Sequence, residues 1–448
     1  MLPVRLDRSD PRPLGTQLAD QVRRLVLDGA LARDDRLPAT RRLAADLGVS
    51  RSVVEQAFDQ LLAEGWLEAR QGSGTWVAGG TAGRAAAPGR RRTPLVERPL
   101  VMLDAGTPWI DPRHQAVWRR AWREVSTAPP PRGYDDPRGL PELRALLAER
   151  LGRTRGLAVD AERVRVTGGT GAGLRHLLAV LPREPRGAVA VEDPGYRAAV
   201  ATVLESGREV RDLPALEPVT DLAGCPAAYV TPAHQHPLGR VMPAADRLTL
   251  LGTARRDGAL VIEDDYDSEF RYDVAPVPAL ASLDRDRVAY LGTASKAILP
   301  SLRLGWSVVP DRLLDAYDAH RALTHDAPPW PVQRALVTLL RDGYVDAVVR
   351  SARRVYADRA PRVVAALAPY AELAGPVAGM YSTWLLPHAR AVRVRAAAEE
   401  AGFRVNLLRD YCRTARLSGL VVGFGGPTDD ELDRALEVLV SALGSRRS

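Results

Sequence analysis

"YLGTASKAILPSLRLGWSVVP", residues 290–310, holds Lys296, the single lysine of a 448-residue chain whose lysines and arginines together number 62. Arginine supplies every other basic side chain, and the two residues differ chemically. A guanidinium stays protonated at any ordinary pH, whereas burial can bring an amine toward neutrality, where it attacks carbonyls. The apolar runs "VAYLGTA" and "RLGWSVVP" on either side read as strands, which puts Lys296 in the turn between them. A GC-rich genome also thins lysine codons, so the choice between a surface survivor and a reactive amine rests on what the rest of the chain supplies.

The composition, 46% apolar and 26% charged, is that of a globular protein, and the length predicts two or three domains. No apolar run reaches 18 residues, and the start "MLPVRLDRSDPRPLG" carries charge where a signal peptide needs an apolar stretch. The expectation is a cytoplasmic protein without membrane contact. Cys225 and Cys412 lack metal-ligand spacing, so neither a metal site nor a disulfide scaffold is expected. The net charge is +7, yet residues 1–78 hold 11 Arg against 11 Asp and Glu, so bulk charge alone makes no case for nucleic acid.

Residues 79–99, within "AGGTAGRAAAPGRRRTPLVERP", show no hydrophobic period and read as a flexible basic linker. It separates a head, residues 1–78, from a body, residues 100–448. The linker's Arg90–Arg92 run either touches phosphate or is simply solvated.

In the head, "TQLADQVRRLVLDGAL" aligns Leu18, Val22, Leu25 and Val26 on one helical face, and "TRRLAADLG" is a second helix stopped by Gly48. "SRSVVEQAFDQLLAEG" starts at Ser50 as N-cap, buries Val53, Val54, Ala57, Leu61 and Leu62, and stops at Gly65. "WLEARQGSGTWVA" gives two short strands around a glycine turn. Two helices joined at a glycine, then a hairpin, is the plan of a winged helix-turn-helix. Ser50, Arg51 and Ser52 then lie where side chains reach base edges, and Arg41 where a phosphate is clamped. Gln71 and Ser73 stand at the wing tip, where Gly72 lets backbone N–H groups approach the sugar-phosphate chain. The stretch "RLPATRRLAADLGVSRSVVEQAFDQLLAEGWLEARQGSGTWV" resembles the DNA-binding domain of the GntR family of bacterial regulators over residues 14–77.

The body alternates strands and helices, as in "RVRVTGGTGAGLRHLLAVL", "GAVAVEDPGYRAAVATVLESG", "AAYVTPAHQHPLG" and "GALVIEDDYDSEF". That alternation predicts an α/β fold with a largely parallel sheet covered by helices and ligands at the carboxyl ends of its strands. "VTGGTGAGL" offers backbone N–H groups of Gly169, Thr170 and Gly171 to an anion, unless its glycines serve turn geometry alone. Tyr196 in "EDPGY" is either a stacking face or a core ring. Asp264 and Asp265 in "VIEDDYDSEF" are either surface acids or partners for a pyridine nitrogen, an interaction of about 4 kcal/mol at 4 Å and an effective dielectric near 20. Ser295 and Arg303 flank Lys296 with a hydroxyl and a guanidinium suited to phosphate. One cofactor fits the set: pyridoxal 5'-phosphate, with its aldehyde, phosphate, flat ring and pyridine nitrogen.

Over residues 100–440 the body resembles the fold-type I aminotransferases, with "GYDDPRGLPELRALLAERLGRTRGL", "EDPGY", "TPAHQHPLG", "IEDDYDSEFRY" and "LGTASKAILPSLRLGW" as landmarks. Joined to a GntR-type head, it is similar to the MocR-type transcriptional regulators. The resemblance implies a large mixed, mostly parallel sheet with a small C-terminal α/β subdomain. It makes Lys296 the internal aldimine lysine, Tyr196 the stacking ring, Asp264 the pyridine-nitrogen partner and Tyr266 the donor to the cofactor's phenolic oxygen. Gln235 stands near the place of an asparagine that serves that same oxygen. Amino-acid transaminases hold the substrate carboxylate with an arginine on a late strand, which "LSGLVVGFGG" lacks; Arg416, Arg413 and Arg197 are the candidates left. The resemblance also implies a homodimer, hence an operator with two half-sites on double-stranded DNA. Two functions stay open: a regulator sensing pyridoxal phosphate, an amine or an amino acid, and a working aminotransferase with a DNA-binding head.

Overall fold

The computed structural model describes residues 2–70, 73–78, 100–111, 113–182, 187–272 and 277–444, so Gln71, Gly72 and the linker 79–99 lie outside it. The chain divides into two compact units, Met1–Glu97 and Arg98–Ser448.

In the first unit, apolar side chains at helical spacing build α1 (Leu14–Leu27), α2 (Thr40–Leu47) and α3 (Arg51–Ala63), followed by the antiparallel strands β1 (Leu67–Arg70) and β2 (Gly74–Val77). Gly48 ends α2 in the left-handed region at φ 62°, where a side chain would be strained, and α3 starts three residues later. The core gathers Leu18, Val22, Leu43, Val54, Ala57, Phe58, Leu61, Leu67 and Val77. Phe58, one turn after Val54, takes the inward place; Val53 and Leu62 are only half-buried. A further segment joins the wing: Asp34 N–H donates to Val77 O at 3.1 Å, Val77 N–H to Asp35 O at 2.9 Å and Leu37 N–H to Thr75 O at 2.9 Å. Its charged sequence, "RDDRL", carries no strand signal. Ser50 holds the N-cap position of α3 but makes no capping bond with its side chain; its hydroxyl pairs instead with that of Ser52 at 2.8 Å.

The second unit opens with β3 (Val101–Leu103) and then lays down β4 (Val164–Thr167), β5 (Val189–Asp193), β6 (Val210–Pro214), β7 (Ala227–Val230), β8 (Leu260–Asp265), β9 (Val288–Thr293) and β10 (Gly305–Val308). These last seven form one sheet in the order β4-β10-β9-β8-β7-β5-β6. Only β10 runs antiparallel to its neighbours, because the short segment around Lys296 returns the chain directly beside β9. The other links are parallel, and helices cross from β5 to β6 and from β7 to β8. Strands buried on both faces send alternate residues to opposite layers. Val191, Tyr229, Ile262 and Leu291 pack on one side with Leu174, Leu177 and Tyr317. Ala190, Ala228, Val261 and Tyr290 face the other with Leu250 and Ala254.

The smaller sheet contains β11 (Glu372–Leu373), β12 (Tyr381–Leu385), β13 (Phe403–Leu407) and β14 (Gly419–Gly423), in the order β11-β12-β14-β13-β3. Its edge is β3, parallel to β13, so the smaller subdomain is C-terminal except for this one strand from the opposite end of the body.

The alternation in β8 decides the fate of two adjacent acids. Asp265 points into the layer of Tyr290, where its Oδ2 accepts from the Tyr290 hydroxyl at 2.6 Å and from Arg155 Nε. Both members of that ion pair are buried, and Arg155 is held above its ordinary pKa against burial by Asp265. Arg155→Leu should strand the carboxylate without a counter-charge and destabilise the body by about 3–5 kcal/mol, read as a lower midpoint in urea unfolding.

Candidate functional site

The carboxyl ends of β4, β5, β7, β8 and β9 share one edge of the large sheet, and the candidate residues of the body lie there. Lys296 follows β9 and is half-buried. Its Nζ donates to Gly106 O at 2.5 Å, a carbonyl delivered by the segment after β3. Burial pulls the amine below its ordinary pKa, and Asp104, Asp267 and Asp264 oppose the shift.

Asp264 leaves β8 on the face opposite Asp265 and is only 3% exposed. Its Oδ2 accepts from the Tyr229 hydroxyl, while its Oδ1 is buried without a partner. Burial pushes the carboxyl up to about 7, Asp265 adds to the shift, and Tyr229, Thr170 and Lys296 draw it back. A carboxylate in this condition lacks a donor, and the N–H of a protonated pyridine would supply one.

Four tyrosines surround the imidazole of His236: Tyr196 at 5.8 Å between ring centroids, Tyr266 at 5.6 Å, Tyr381 at 5.7 Å and Tyr411 at 5.2 Å, all edge-on. Tyr196 begins the helix Arg197–Glu205 and is 39% exposed, a ring with one open side. The Tyr266 hydroxyl lies 2.8 Å from that of Tyr381 and donates to His234 O at 3.1 Å. Burial drops His236 to about 3, with His234, Lys296 and Arg197 adding to the effect, so the ring is neutral at physiological pH.

Gln235 departs from its expected role. Its Nε2 donates to Pro194 O at 2.9 Å and His236 O at 2.8 Å, and its Oε1 accepts from Leu238 N–H at 3.1 Å. The amide bonds to its own turn and to the segment after β5, and the next residue, His236, occupies the aromatic cluster. The only sequence signal for His236 was a polar ring directly before a proline at a strand end.

At the end of β4, Gly169 takes φ 104° and caps the helix Thr170–Val180. A Cβ added at Gly169 or Gly171 would meet nothing within 4 Å, so the helix N-terminus, where backbone N–H groups attract anions, is open at these positions. On the inner side Gly305 is required, since a Cβ there would sit 2.8 Å from Gly169 Cα. Ser295 N–H donates to Thr293 Oγ1 at 3.0 Å, fixing the turn before Lys296. Arg303 is exposed, with φ 50°, and its charge is felt at Tyr196. These groups fit pyridoxal phosphate: a half-buried amine, a carboxylate oxygen without a donor, an open ring face, and a glycine turn that meets the backbone of Arg303.

The three arginines considered for a carboxylate separate. Arg197 lies over the Tyr411 ring at 5.7 Å, with Asp410 3.9 Å away, so it borders the cluster. Arg413 is committed elsewhere: its Nε pairs with Asp212 Oδ1 at 2.7 Å, and its backbone N–H helps hold Asp193. Arg416 is exposed, outside the ring cluster's contacts.

In the head, Arg41 is exposed in the first turn of α2. Arg51 and Ser52 are exposed at the start of α3, with Arg51 Nε 2.7 Å from Glu55 Oε1. Ser73 closes the wing turn through its N–H to Arg70 O at 2.9 Å, and its hydroxyl accepts from Trp76 Nε1 at 3.1 Å.

Two family models match the chain: bacterial regulatory proteins of the gntR family over residues 14–77, and aminotransferase class I and II over residues 99–439. Among curated relatives, a probable rhizopine catabolism regulatory protein MocR of Rhizobium meliloti is 35% identical, the match covering 98% of this chain and 95% of the relative. The HTH-type pyridoxine biosynthesis transcriptional regulator PdxR of Corynebacterium glutamicum is 33% identical over 99% of this chain and 98% of its own. Among solved structures, an archaeal alanine:glyoxylate aminotransferase superposes with a TM-score of 0.69 and 25% identity, over 77% of this chain and 90% of that one.

The raised carboxyl of Asp264 has a consequence for stability. Its folded pKa lies above its unfolded value, so as pH rises the unfolded chain releases this proton first. The contribution to stability is therefore lost between pH about 4 and about 7. Asp264→Asn should raise the melting temperature of the ligand-free protein at pH 8 and change it little at pH 4, as measured by calorimetry at both pH values.

Proposed function

We propose, for a chain that belongs to the MocR-type subfamily of GntR transcriptional regulators, that its aminotransferase-like body senses pyridoxal 5'-phosphate, alone or joined to an amine or amino acid, and alters how the winged heads engage DNA. The observation that carries this reading is the pairing of the chain's single lysine, half-buried, with a buried carboxylate whose Oδ1 has no donor.

When bound, pyridoxal phosphate supplies an aldehyde for amine chemistry and a ring that withdraws electrons. Lys296 is the group to capture it, its amine already shifted toward the neutral form by burial. Asp264 would accept the ring N–H at Oδ1, since the Tyr229 hydroxyl already donates to the other oxygen. Gly169, Thr170, Gly171, Ser295 and Arg303 would hold the phosphate, and Tyr196 would cover the ring. Tyr266 would donate to the phenolic oxygen, and His236, beside Gln235, would stand near it. The Corynebacterium relative is named for pyridoxine biosynthesis, which makes the cofactor itself a candidate effector.

Arg197, beside Tyr411, is the candidate partner for an effector carboxylate. The late strand β14 brings no arginine of its own, which favours sensing over turnover. A ligand shifts the heads only to the extent that it binds one arrangement of the protein more tightly than another. A homodimer would present two heads, hence two operator half-sites.

The test titrates full-length protein with pyridoxal phosphate, then with a panel of amino acids and amines, following visible absorbance and operator affinity together. Wild type should acquire visible absorbance and, after borohydride, a covalent adduct that mass spectrometry places on Lys296; Lys296→Ala should show neither. A mutant that is still trapped, or operator affinity indifferent to saturating ligand while stoichiometric keto acid forms, would reject the sensing role.

A further inference from the structure

We infer that Glu55 is a positioning residue for DNA recognition: it holds Arg51 through Nε and leaves the terminal guanidinium edge free to read a guanine. The inference extends the reading of the head as a sequence-specific DNA reader.

Arg51 and Glu55 stand four residues apart on α3, one above the other, with side chains 53% and 42% exposed. A carboxylate on the helix that must meet DNA is electrostatically unfavourable, since the duplex carries a phosphate charge for about every 1.7 Å of axis. Helix stability does not account for the pair. An exposed ion pair contributes little, and the order here, cation toward the N-terminus and anion one turn later, is the poorer one against the helix dipole. The head has its own supports, an apolar core and the Arg23–Glu64 pair at 2.6 Å.

What the pair does achieve is geometric. The contact uses Nε and Oε1 at 2.7 Å, and the described residues record no partner for Arg51 Nη1 or Nη2. Those two nitrogens form the fork that matches O6 and N7 of guanine in the major groove. A long side chain held in one arrangement beforehand loses less freedom on binding, and a guanidinium engaged at Nε is less available to wander to the nearest phosphate.

The experiment selects a randomised double-stranded oligonucleotide library on the full-length protein. Affinities are then measured for the recovered consensus and its single-base substitutions with wild type, R51A, E55A, E55Q and the double variant R51A/E55A. R51A should relax discrimination at one G·C pair by roughly tenfold. E55A should relax the same pair by a smaller factor, E55Q, which keeps an acceptor oxygen, should fall between E55A and wild type, and the double variant should match R51A. Glu55 is on the surface, and unchanged circular dichroism of the variants confirms folding. If E55A tightens every sequence equally with discrimination intact, Glu55 merely repels phosphate and the inference fails. It fails also if E55A relaxes a different pair additively with R51A, which would make Glu55 a direct reader, or if R51A weakens all sequences uniformly. A wild-type protein that selects no consensus would instead sink the reading of the head.

Discussion

A carboxylate deep in a protein keeps its charge only where donors or cations replace the lost water, and the large sheet of this chain is organised around two adjacent ones that solve the problem differently. Asp265 has a counter-charge in Arg155 and a donor in Tyr290, both at Oδ2, while its Oδ1 has no partner, and it belongs to the framework. Asp264, one residue earlier and therefore on the opposite face of β8, has Tyr229 at one oxygen and nothing at the other. The framework acid, held by its ion pair, can fix the strand end while its neighbour has no paired cation among the described residues, as a group that is to meet a charged ligand must be. Glu263, the third acid of the run, is again structural: its two oxygens accept the backbone N–H groups of Leu280 and Ala281, each at 2.8 Å.

The rest of the site is brought to that edge by parts of the chain far apart in sequence. β9 ends at Lys296, β4 supplies the glycine turn, and β5 ends at Asp193, whose carboxylate gathers the backbone N–H groups of Arg413, Thr414 and Ala415 and the Thr414 hydroxyl, all within 2.8 Å. That carboxylate links the large sheet to the segment carrying Tyr411. From the opposite direction, β3 sets Gly106 against the lysine amine. The pocket is thus assembled by tertiary contacts, and its aromatic lining closes around a neutral imidazole rather than around a charge.

Local pattern made much of this legible. Short apolar runs ended by polar residues marked the strands and their carboxyl ends, and the count of lysines alone singled out Lys296. The winged head followed from helical spacing and glycine stops. What stayed hidden depended on offsets and on distance. Asp264 and Asp265 are chemically identical on paper, and only the phase of β8 tells which one meets Arg155. Gln235 and His236 differ by one position in a turn that has no period, and turn geometry sends the amide to the backbone and the ring to the pocket. β3 pairs with a strand some 300 residues later, and three apolar residues say nothing about such a partner. The strand-like pairing of residues 34–37 is equally silent, since charged residues on a sheet edge look like a loop.

The place of β3 has a mechanical side. The linker ends at residue 99, and the first regular element beyond it is the outer strand of the smaller sheet, hydrogen-bonded alongside β13. The described body therefore begins on the smaller sheet, and the strand that opens it ends three residues upstream of the backbone that touches the lysine amine. Any rotation of that sheet against its larger neighbour carries with it the residue at which the described body begins.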